Sequence, residues 1–125
     1  MRILHLLDHS IPLHSGYTFR TAAILHEQRA LGWETFHLTS EKQTNCHVLE
    51  DEVDGLHFYR TPEQNGILKR IPGLNQVAVM QNLAQRLREV IAIVRPDILH
   101  AHSPVLTALP ALHVGHALGL PVVEI

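Results

Sequence analysis

The chain is poor in cysteine and has no long apolar run. Cys46 is the single cysteine, which excludes an internal disulfide, and its polar surroundings are typical of a thiol without a role. The apolar start "MRILHLLD" ends at Asp8, well short of the ~20 residues that span a membrane, and it is not a signal peptide. These absences favour a protein of the reducing cytoplasm.

Basic residues are also few. Ten Lys and Arg stand against 12 Asp and Glu, the net charge is −2, and no basic run is longer than Lys69-Arg70. Nucleic acid is therefore not an expected ligand. Neither G-x-G-x-x-G nor G-x-x-x-x-G-K-[ST] occurs, which argues against an ordinary dinucleotide or nucleoside-triphosphate site.

Histidine, in contrast, is abundant. The chain has 11 histidines, but none falls in an H-E-x-x-H or finger-type arrangement, and the close pair is His100 and His102. Because metal sites in sequence are recognised by such spacing, we expect no bound metal.

The remaining pattern is that of one α/β domain. With 125 residues, 46% of them hydrophobic, the chain can bury a single core. Apolar strands alternate with segments of helical periodicity, which predicts a doubly wound, Rossmann-like parallel sheet of about five strands in the order 3-2-1-4-5. The predicted strands are 2–8, 33–40, 56–62, 98–102 and one that begins within 119–125, and the predicted helices are 18–32, 74–94 and 104–118. The polar stretch 41–55 is predicted as a loop or small hairpin, and 63–73 as a connection.

Two unusual loops follow the first and fourth predicted strands, and this strand order makes those strands neighbours. Ligands of such sheets bind at the carboxyl ends of the strands, where the strand order reverses. In "HSIPLHSGYTFR", Ser15 and Gly16 lie at a helix start, where free N–H groups favour an anion, and Arg20 follows one turn later. The alternative is that Ser15 caps the helix, Gly16 makes the turn and Arg20 is solvated.

The second loop begins in "HAHSP". His100 and His102 are two residues apart on one predicted strand and so point to the same face. At the strand end, His102 and Ser103 can hydrogen-bond a sugar hydroxyl or a phosphate. We place His100 deeper, as a hydrogen-bonded core histidine.

These segments resemble a known family. "MRILHLLDHSIPLHSGYTFRTAAILHEQRALGWETFHLTS", "VDGLHFYRTP" and "RPDILHAHSPVLTALPALHVGHALGLPVV" are similar to the N-terminal domain of the family-4 retaining glycosyltransferases of GT-B fold. The similarity is greatest to the bacterial branch associated with exosortase and exopolysaccharide clusters. It spans nearly the whole chain and includes the combined patterns P-x-x-SG-x-x-x-R and RPDILHAHSP.

The resemblance implies a cytoplasmic hexosyltransferase that moves a sugar from a nucleotide-sugar to a glycan or lipid-linked acceptor, with no cofactor. Residues 1–125 would be its acceptor-side domain, inactive alone, and both the nucleotide-sugar domain and the catalytic residue would lie beyond Ile125. Ser15 and Gly16 match the family's glycine-rich loop, although a serine replaces the first of its paired glycines, and His102 matches the second histidine of its H-x-H strand end. Tyr17, Arg20 and Ser103 complete the expected binding residues.

Other interpretations stay open. The first loop and the sheet would also suit another GT-B-type enzyme, such as a nucleotide-sugar epimerase, or a non-catalytic flavodoxin-like binding module. A receiver domain would need clustered carboxylates at the strand ends, and Asp8 alone fits that pattern. For the whole enzyme we also consider a peripheral contact with the inner face of the cell membrane, and for this chain self-association through exposed apolar surface.

Overall fold

A six-stranded, mostly parallel sheet forms the centre of the protein in the computed structural model. The structure describes residues 1–7, 16–40, 49–53, 55–62, 71, 74–102 and 107–124, and of 16–18 it describes the backbone. The strands are β1 (Arg2–Leu7), β2 (Glu34–Thr39), β3 (Glu50–Val53), β4 (Leu56–Tyr59), β5 (Ile98–Ala101) and β6 (Val122–Glu124). The helices are α1 (Gly16–Ala30), α2 (Asn75–Val94) and α3 (Ala108–Leu118).

The strand order is β3-β4-β2-β1-β5-β6. All neighbouring pairs are parallel except β3 and β4, which form an antiparallel hairpin at one edge. Gly55 makes the turn of this hairpin at φ 77°, a conformation that residues with a Cβ rarely adopt. The five parallel strands confirm the predicted order 3-2-1-4-5. The extra strand β3 lies in the segment 41–55, where the sequence predicts a loop or small hairpin, and it forms a hairpin with β4.

Helices cover both faces of the sheet, as in a doubly wound fold. Leu4 and Leu6 of β1 share a buried cluster with Leu87 of α2 and Val114 of α3. Leu7 belongs to a second cluster, which contains Leu25 of α1. Because successive strand residues point to opposite faces, α2 and α3 pack on one face of β1 and α1 packs on the other.

The observed helices also agree with the predicted ones. The second helix was predicted over 74–94 and runs from Asn75 to Val94, and the last ends at Leu118 in both. The expected opening of that helix at Pro104, and the connection 63–73 apart from residue 71 itself, lie outside the described residues. Among the residues that the structure describes, no helix combines the length and apolar character needed to cross a membrane.

A buried arginine attaches the edge hairpin to α2. The guanidinium of Arg86 donates Nε–H to the backbone oxygen of Arg60 at 3.0 Å and Nη2–H to that of Leu49 at 3.0 Å. Its third contact is an ion pair with the exposed carboxylate of Glu89, which contributes little because solvent screens it. The carbonyl hydrogen bonds are therefore the main reason for burying this side chain.

We expect Arg86→Met to lower the free energy of unfolding by about 1–3 kcal/mol, because the acceptors lose their donor while the apolar stem is kept. Arg88 is exposed on the same helix, so Arg88→Met should change stability by less than about 0.5 kcal/mol. Urea denaturation of both variants measures the difference. Equal losses would show that the carbonyl hydrogen bonds are unimportant.

Gly115 allows α3 to approach β6 closely. A Cβ at this position would lie 2.7 Å from Cγ2 of Val122 and 3.1 Å from the backbone oxygen of Leu120. Both distances are shorter than ordinary van der Waals contact, so any side chain here must push the strand away from the helix.

Gly115→Ala should therefore destabilise the protein, since overpacking costs ~1–3 kcal/mol and exceeds the gain of ~1 kcal/mol in helix propensity. Adding Val122→Ala removes the methyl group in conflict. In a double-mutant cycle measured by urea denaturation, the double variant should lose less stability than the two single losses combined. Strict additivity would mean that the contact is not what limits this position.

Candidate functional site

The predicted crevice lies at the carboxyl end of β1 and β5. The strand order reverses there, because β1 pairs with the next parallel strand, β2, on one side and with β5 on the other. The backbone N–H of His102 donates to the oxygen of Leu6 at 3.1 Å, so the end of β5 is held against the end of β1. Helix α1 begins at Gly16, one of the two residues expected at the helix start and two residues before the predicted range 18–32.

The structure describes part of the predicted binding set. Ser15 and Ser103 lie outside the described residues, and of Gly16 and Tyr17 only the helical backbone is described. Gly16 is the first residue of α1, whose first turn contains no acidic residue, so the free N–H groups of this turn can favour an anion without a competing carboxylate. Arg20 lies one turn further and is exposed.

The side chains of His102 and Arg20 are close enough to interact electrostatically. The pKa of His102 is lowered to about 3, mainly by burial and to a smaller extent by the neighbouring His100, His5 and Arg20. His102 is only 4% exposed. The two predicted residues whose side chains the structure describes, a guanidinium and a neutral imidazole, therefore influence each other electrostatically.

A row of histidines crosses the α1 face of the sheet behind this crevice. His37 of β2, His5 of β1 and His100 of β5 are direct register partners. The ring of His5 lies 6.1 Å from that of His37 and 5.1 Å from that of His100, measured between centroids. The rings of His100 and His102 stack at 4.2 Å, which confirms that these two side chains share one face.

His5 connects α1 to His102 through a chain of hydrogen bonds. Its Nε2 lies 2.7 Å from Oε1 of Gln28, and its Nδ1 lies 2.8 Å from Nε2 of His102. An amide oxygen can only accept, so with this orientation of the amide Nε2 of His5 carries the proton and Nδ1 accepts from Nε2–H of His102. The Nδ1 of His102 is then left with a lone pair.

All four imidazoles are held in the neutral form. Burial is the main cause for each of them: it lowers the pKa of His5 to about 4, that of His37 to about 3 and that of His100 below its ordinary value. Neutral imidazoles are hydrogen-bond acceptors and metal ligands rather than cations. In the crevice, only the Arg20 side chain is therefore expected to carry positive charge among the residues that the structure describes.

The expectation for His100 is wrong. It is half-buried, whereas His102, two residues further along, is buried. Its Nε2 is buried without a hydrogen-bond partner among the described residues, and the same holds for Nδ1 of His102. Buried polar atoms without partners are rare and indicate a missing water, ion or ligand.

Sequence reasoning did not find His5, His37 or Gln28. A signal was present, since β1 and β5 each carry a histidine in a largely apolar run and β2 carries His37 between Phe36 and Leu38. Strand register cannot be deduced from one sequence, so their alignment in a single row emerges only in the folded sheet.

His37 allows a test of this burial by pH. Its Nδ1–H donates to the backbone oxygen of His57 at 2.6 Å, and its Nε2 accepts from the hydroxyl of Thr35 at 2.9 Å. A proton on Nε2 would place a positive charge in a buried site that also lies near Arg29. The folded-state pKa of about 3 lies below the ordinary 6.5, so the unfolded chain binds more protons and stability falls as pH decreases from about 6.5 toward 3.

The stability lost between pH 7 and pH 4 should therefore be about 2–3 kcal/mol smaller in His37→Gln than in the parent, at ~1.4 kcal/mol per pH unit. The exposed His113 of α3 provides the control, and His113→Gln should lose as much stability as the parent. Urea denaturation at pH 7 and pH 4 measures the free energy of unfolding of each protein. An unchanged acid loss in His37→Gln would contradict the burial of a neutral ring.

Comparison with known proteins agrees with this architecture. Residues 15–123 match the family described as "Glycosyl transferase 4-like domain". No curated protein matches the sequence significantly.

Solved structures share the fold at low sequence identity. MurG from Acinetobacter baumannii superposes with a TM-score of 0.66 and 14% identity, and 98% of this chain covers 34% of that one. Sucrose-phosphate synthase from Thermosynechococcus elongatus superposes with a TM-score of 0.69 and 13% identity. The match covers 99% of this chain and 32% of that one. UDP-GlcNAc 2-epimerase from Neisseria meningitidis, bound to UDP-GlcNAc, superposes with a TM-score of 0.62 and 18% identity. The match covers 100% of this chain and 32% of that one.

This chain thus spans about a third of the length of each of these three structures. Its sheet order, with β1 between β2 and β5, is that of a Rossmann-like half of the GT-B fold. Since the family match extends over most of the sequence, the chain belongs to the glycosyl transferase 4-like domain family.

Proposed function

We propose that this chain is the acceptor-side domain of a retaining hexosyltransferase, which transfers a sugar from a nucleotide-sugar to a glycan or lipid-linked acceptor in polysaccharide biosynthesis. The observation that carries the proposal is the reversal of strand order between β1 and β5, beside which Arg20 of α1 lies close enough to His102 to affect its pKa. The family match supports the glycosyltransferase class. The nucleotide-sugar domain and the catalytic residue belong to sequence beyond Ile125 in this proposal.

The reaction needs stabilisation of a leaving diphosphate. The bond from the sugar C1 to the diphosphate oxygen breaks, a bond from C1 to the acceptor oxygen forms, and the acceptor proton ends on the diphosphate or in solvent. Negative charge develops on the leaving group as the sugar gains oxocarbenium character. The N–H groups at the start of α1 and the guanidinium of Arg20 are suited to that charge.

His102 would act on the sugar rather than on the phosphate. Its ring is neutral because burial lowers its pKa to about 3, so it contributes no charge to the diphosphate. The hydrogen-bond chain from Gln28 through His5 leaves Nδ1 of His102 able to accept a hydrogen bond from a hydroxyl. Ser15, Tyr17 and Ser103 complete the proposed binding set on sequence grounds.

A nucleotide-sugar epimerase is the second candidate. Its support is the shared fold with UDP-GlcNAc 2-epimerase, which would use the same crevice for a nucleotide-sugar without an acceptor. The two functions separate in an assay of the protein with its following domain: a transferase releases nucleoside diphosphate as the glycosylated acceptor forms, whereas an epimerase changes the sugar with no acceptor present.

A nucleotide titration of this chain tests the binding half of the proposal. We expect UDP, GDP or a nucleotide-sugar to shift the backbone NMR signals of Gly16, Arg20 and His102, even at millimolar affinity. Arg20→Gln should weaken that binding roughly tenfold, since a hydrogen bond to a charged group contributes ~1.5–3 kcal/mol.

Arg88→Gln is the matched control, because Arg88 is an exposed arginine of α2, on the opposite side of the sheet. It should bind as the parent does. If no nucleotide shifts the crevice signals, the first loop is a helix cap or part of the acceptor surface, and phosphate binding belongs wholly to the following domain.

A further inference from the structure

Three of the clustered histidines are arranged as the ligands of a metal ion. His100 and His102 lie two residues apart at the end of β5, and His5 is the register partner of His100 on β1. Each offers one ring nitrogen, and these three atoms all lie within 4.8 Å of one another. Two histidines at i and i+2 of a strand and a third on the neighbouring strand therefore point at one common volume.

The dimensions are close to those of a zinc site. Zn–N bonds of 2.0–2.1 Å in a tetrahedron place ligand nitrogens about 3.3 Å apart. Nδ1 of His5 and Nε2 of His102 are 2.8 Å apart, and the widest pair of the set is no more than 4.8 Å apart. Side-chain movements of about 1 Å would bring all three nitrogens to bonding distance.

The surroundings of the three rings favour a soft or borderline divalent cation. Among the described residues no carboxylate joins the set, and neutral imidazole is a ligand typical of Zn²⁺, Cu²⁺ and Ni²⁺ rather than of Mg²⁺ or Ca²⁺. His100 is only half-buried, which leaves a path for the ion and for a fourth ligand such as water.

One feature indicates that the cluster lacks a ligand, and a second shows that His5 is oriented to bind one. Nε2 of His100 is buried without a partner among the described residues, although such atoms normally have one. Oε1 of Gln28 accepts from Nε2–H of His5 at 2.7 Å, which directs the Nδ1 lone pair of His5 toward His102. A ligating histidine almost always has such a partner on its other nitrogen, because the partner sets the tautomer and the ring orientation.

We propose that His5 Nδ1, His100 Nε2 and His102 Nε2 bind one divalent transition-metal ion, with Zn²⁺ as the expected metal. The ion would replace the proton shared by His5 and His102, which passes to Nδ1 of His102, so all three rings stay neutral. The spacing of the histidines in sequence predicted no metal, because His5 is 95 residues away from His100. The proposal does not depend on the glycosyltransferase reaction.

Cobalt provides the direct test. The untagged chain, freed of metal with a chelator, is titrated with Co²⁺ at pH 7.5, followed by Zn²⁺ as competitor. We expect visible d–d absorption typical of four-coordinate Co²⁺, saturation at one equivalent, and loss of the bands as Zn²⁺ displaces the cobalt. Zn²⁺ should also raise the melting temperature of the chain, because it binds the folded state.

Variants identify the ligands. His100→Gln should weaken cobalt binding at least tenfold, and Gln28→Met should weaken it by about 10–100-fold because it removes the partner that orients His5. His113 and His116 are exposed three residues apart on α3 and could capture metal at the surface. The double variant His113→Gln/His116→Gln is therefore the control, and its binding should match that of the parent.

Circular dichroism checks that each variant is folded, and if His100→Gln does not fold, Gln28→Met decides the assignment. The proposal is overturned if Co²⁺ gives no d–d bands, or if only the α3 double variant loses them. Because the readout is cobalt absorption without nucleotide, a negative result here leaves the proposed sugar transfer untouched, and the nucleotide titration can fail without affecting the metal site.

Discussion

The parallel pairing of β1 with β2 on one side and with β5 on the other determines the rest of the structure. β1 is buried along most of its length, and every parallel neighbour must present its carboxyl end at the same edge of the sheet. The strand order reverses beside β1, and at that edge the end of β5 is hydrogen-bonded to the end of β1, which is where ligands of such sheets bind. The same pairing aligns His37, His5 and His100 in one row.

Burial of that row determines its chemistry. Charged imidazolium would have to leave water without a carboxylate partner, so desolvation keeps the rings neutral and makes them acceptors. Neutral His5 can then connect Gln28 to His102 by two hydrogen bonds. The carboxyl edge of the sheet thus has two kinds of binding group. The start of α1 and the exposed Arg20 favour an anion, whereas the neutral imidazole nitrogens favour a hydroxyl or a metal ion.

The two ends of the crevice therefore have separate proposed roles. The first turn of α1 with Arg20 is suited to phosphate, while the histidines behind it are suited to a hydroxyl or to a metal ion. A metal bound by His5, His100 and His102 would alter which nitrogen of His102 carries the proton, and so would change this residue from an acceptor to a donor toward a sugar. The two proposals therefore meet at this one side chain, although their tests are independent.

The sequence by itself determined the fold class and the approximate positions of the helices, because apolar periodicity is a local property of the chain, and the doubly wound pattern led to the strand order that the structure has. It also indicated His102 as a strand-end residue. Only the tertiary structure brought His5, Gln28 and His37 into the site and showed that His102 is more buried than His100. Those contacts depend on strand register and on which side of the sheet α1 covers, and both are decided by packing between segments far apart in sequence.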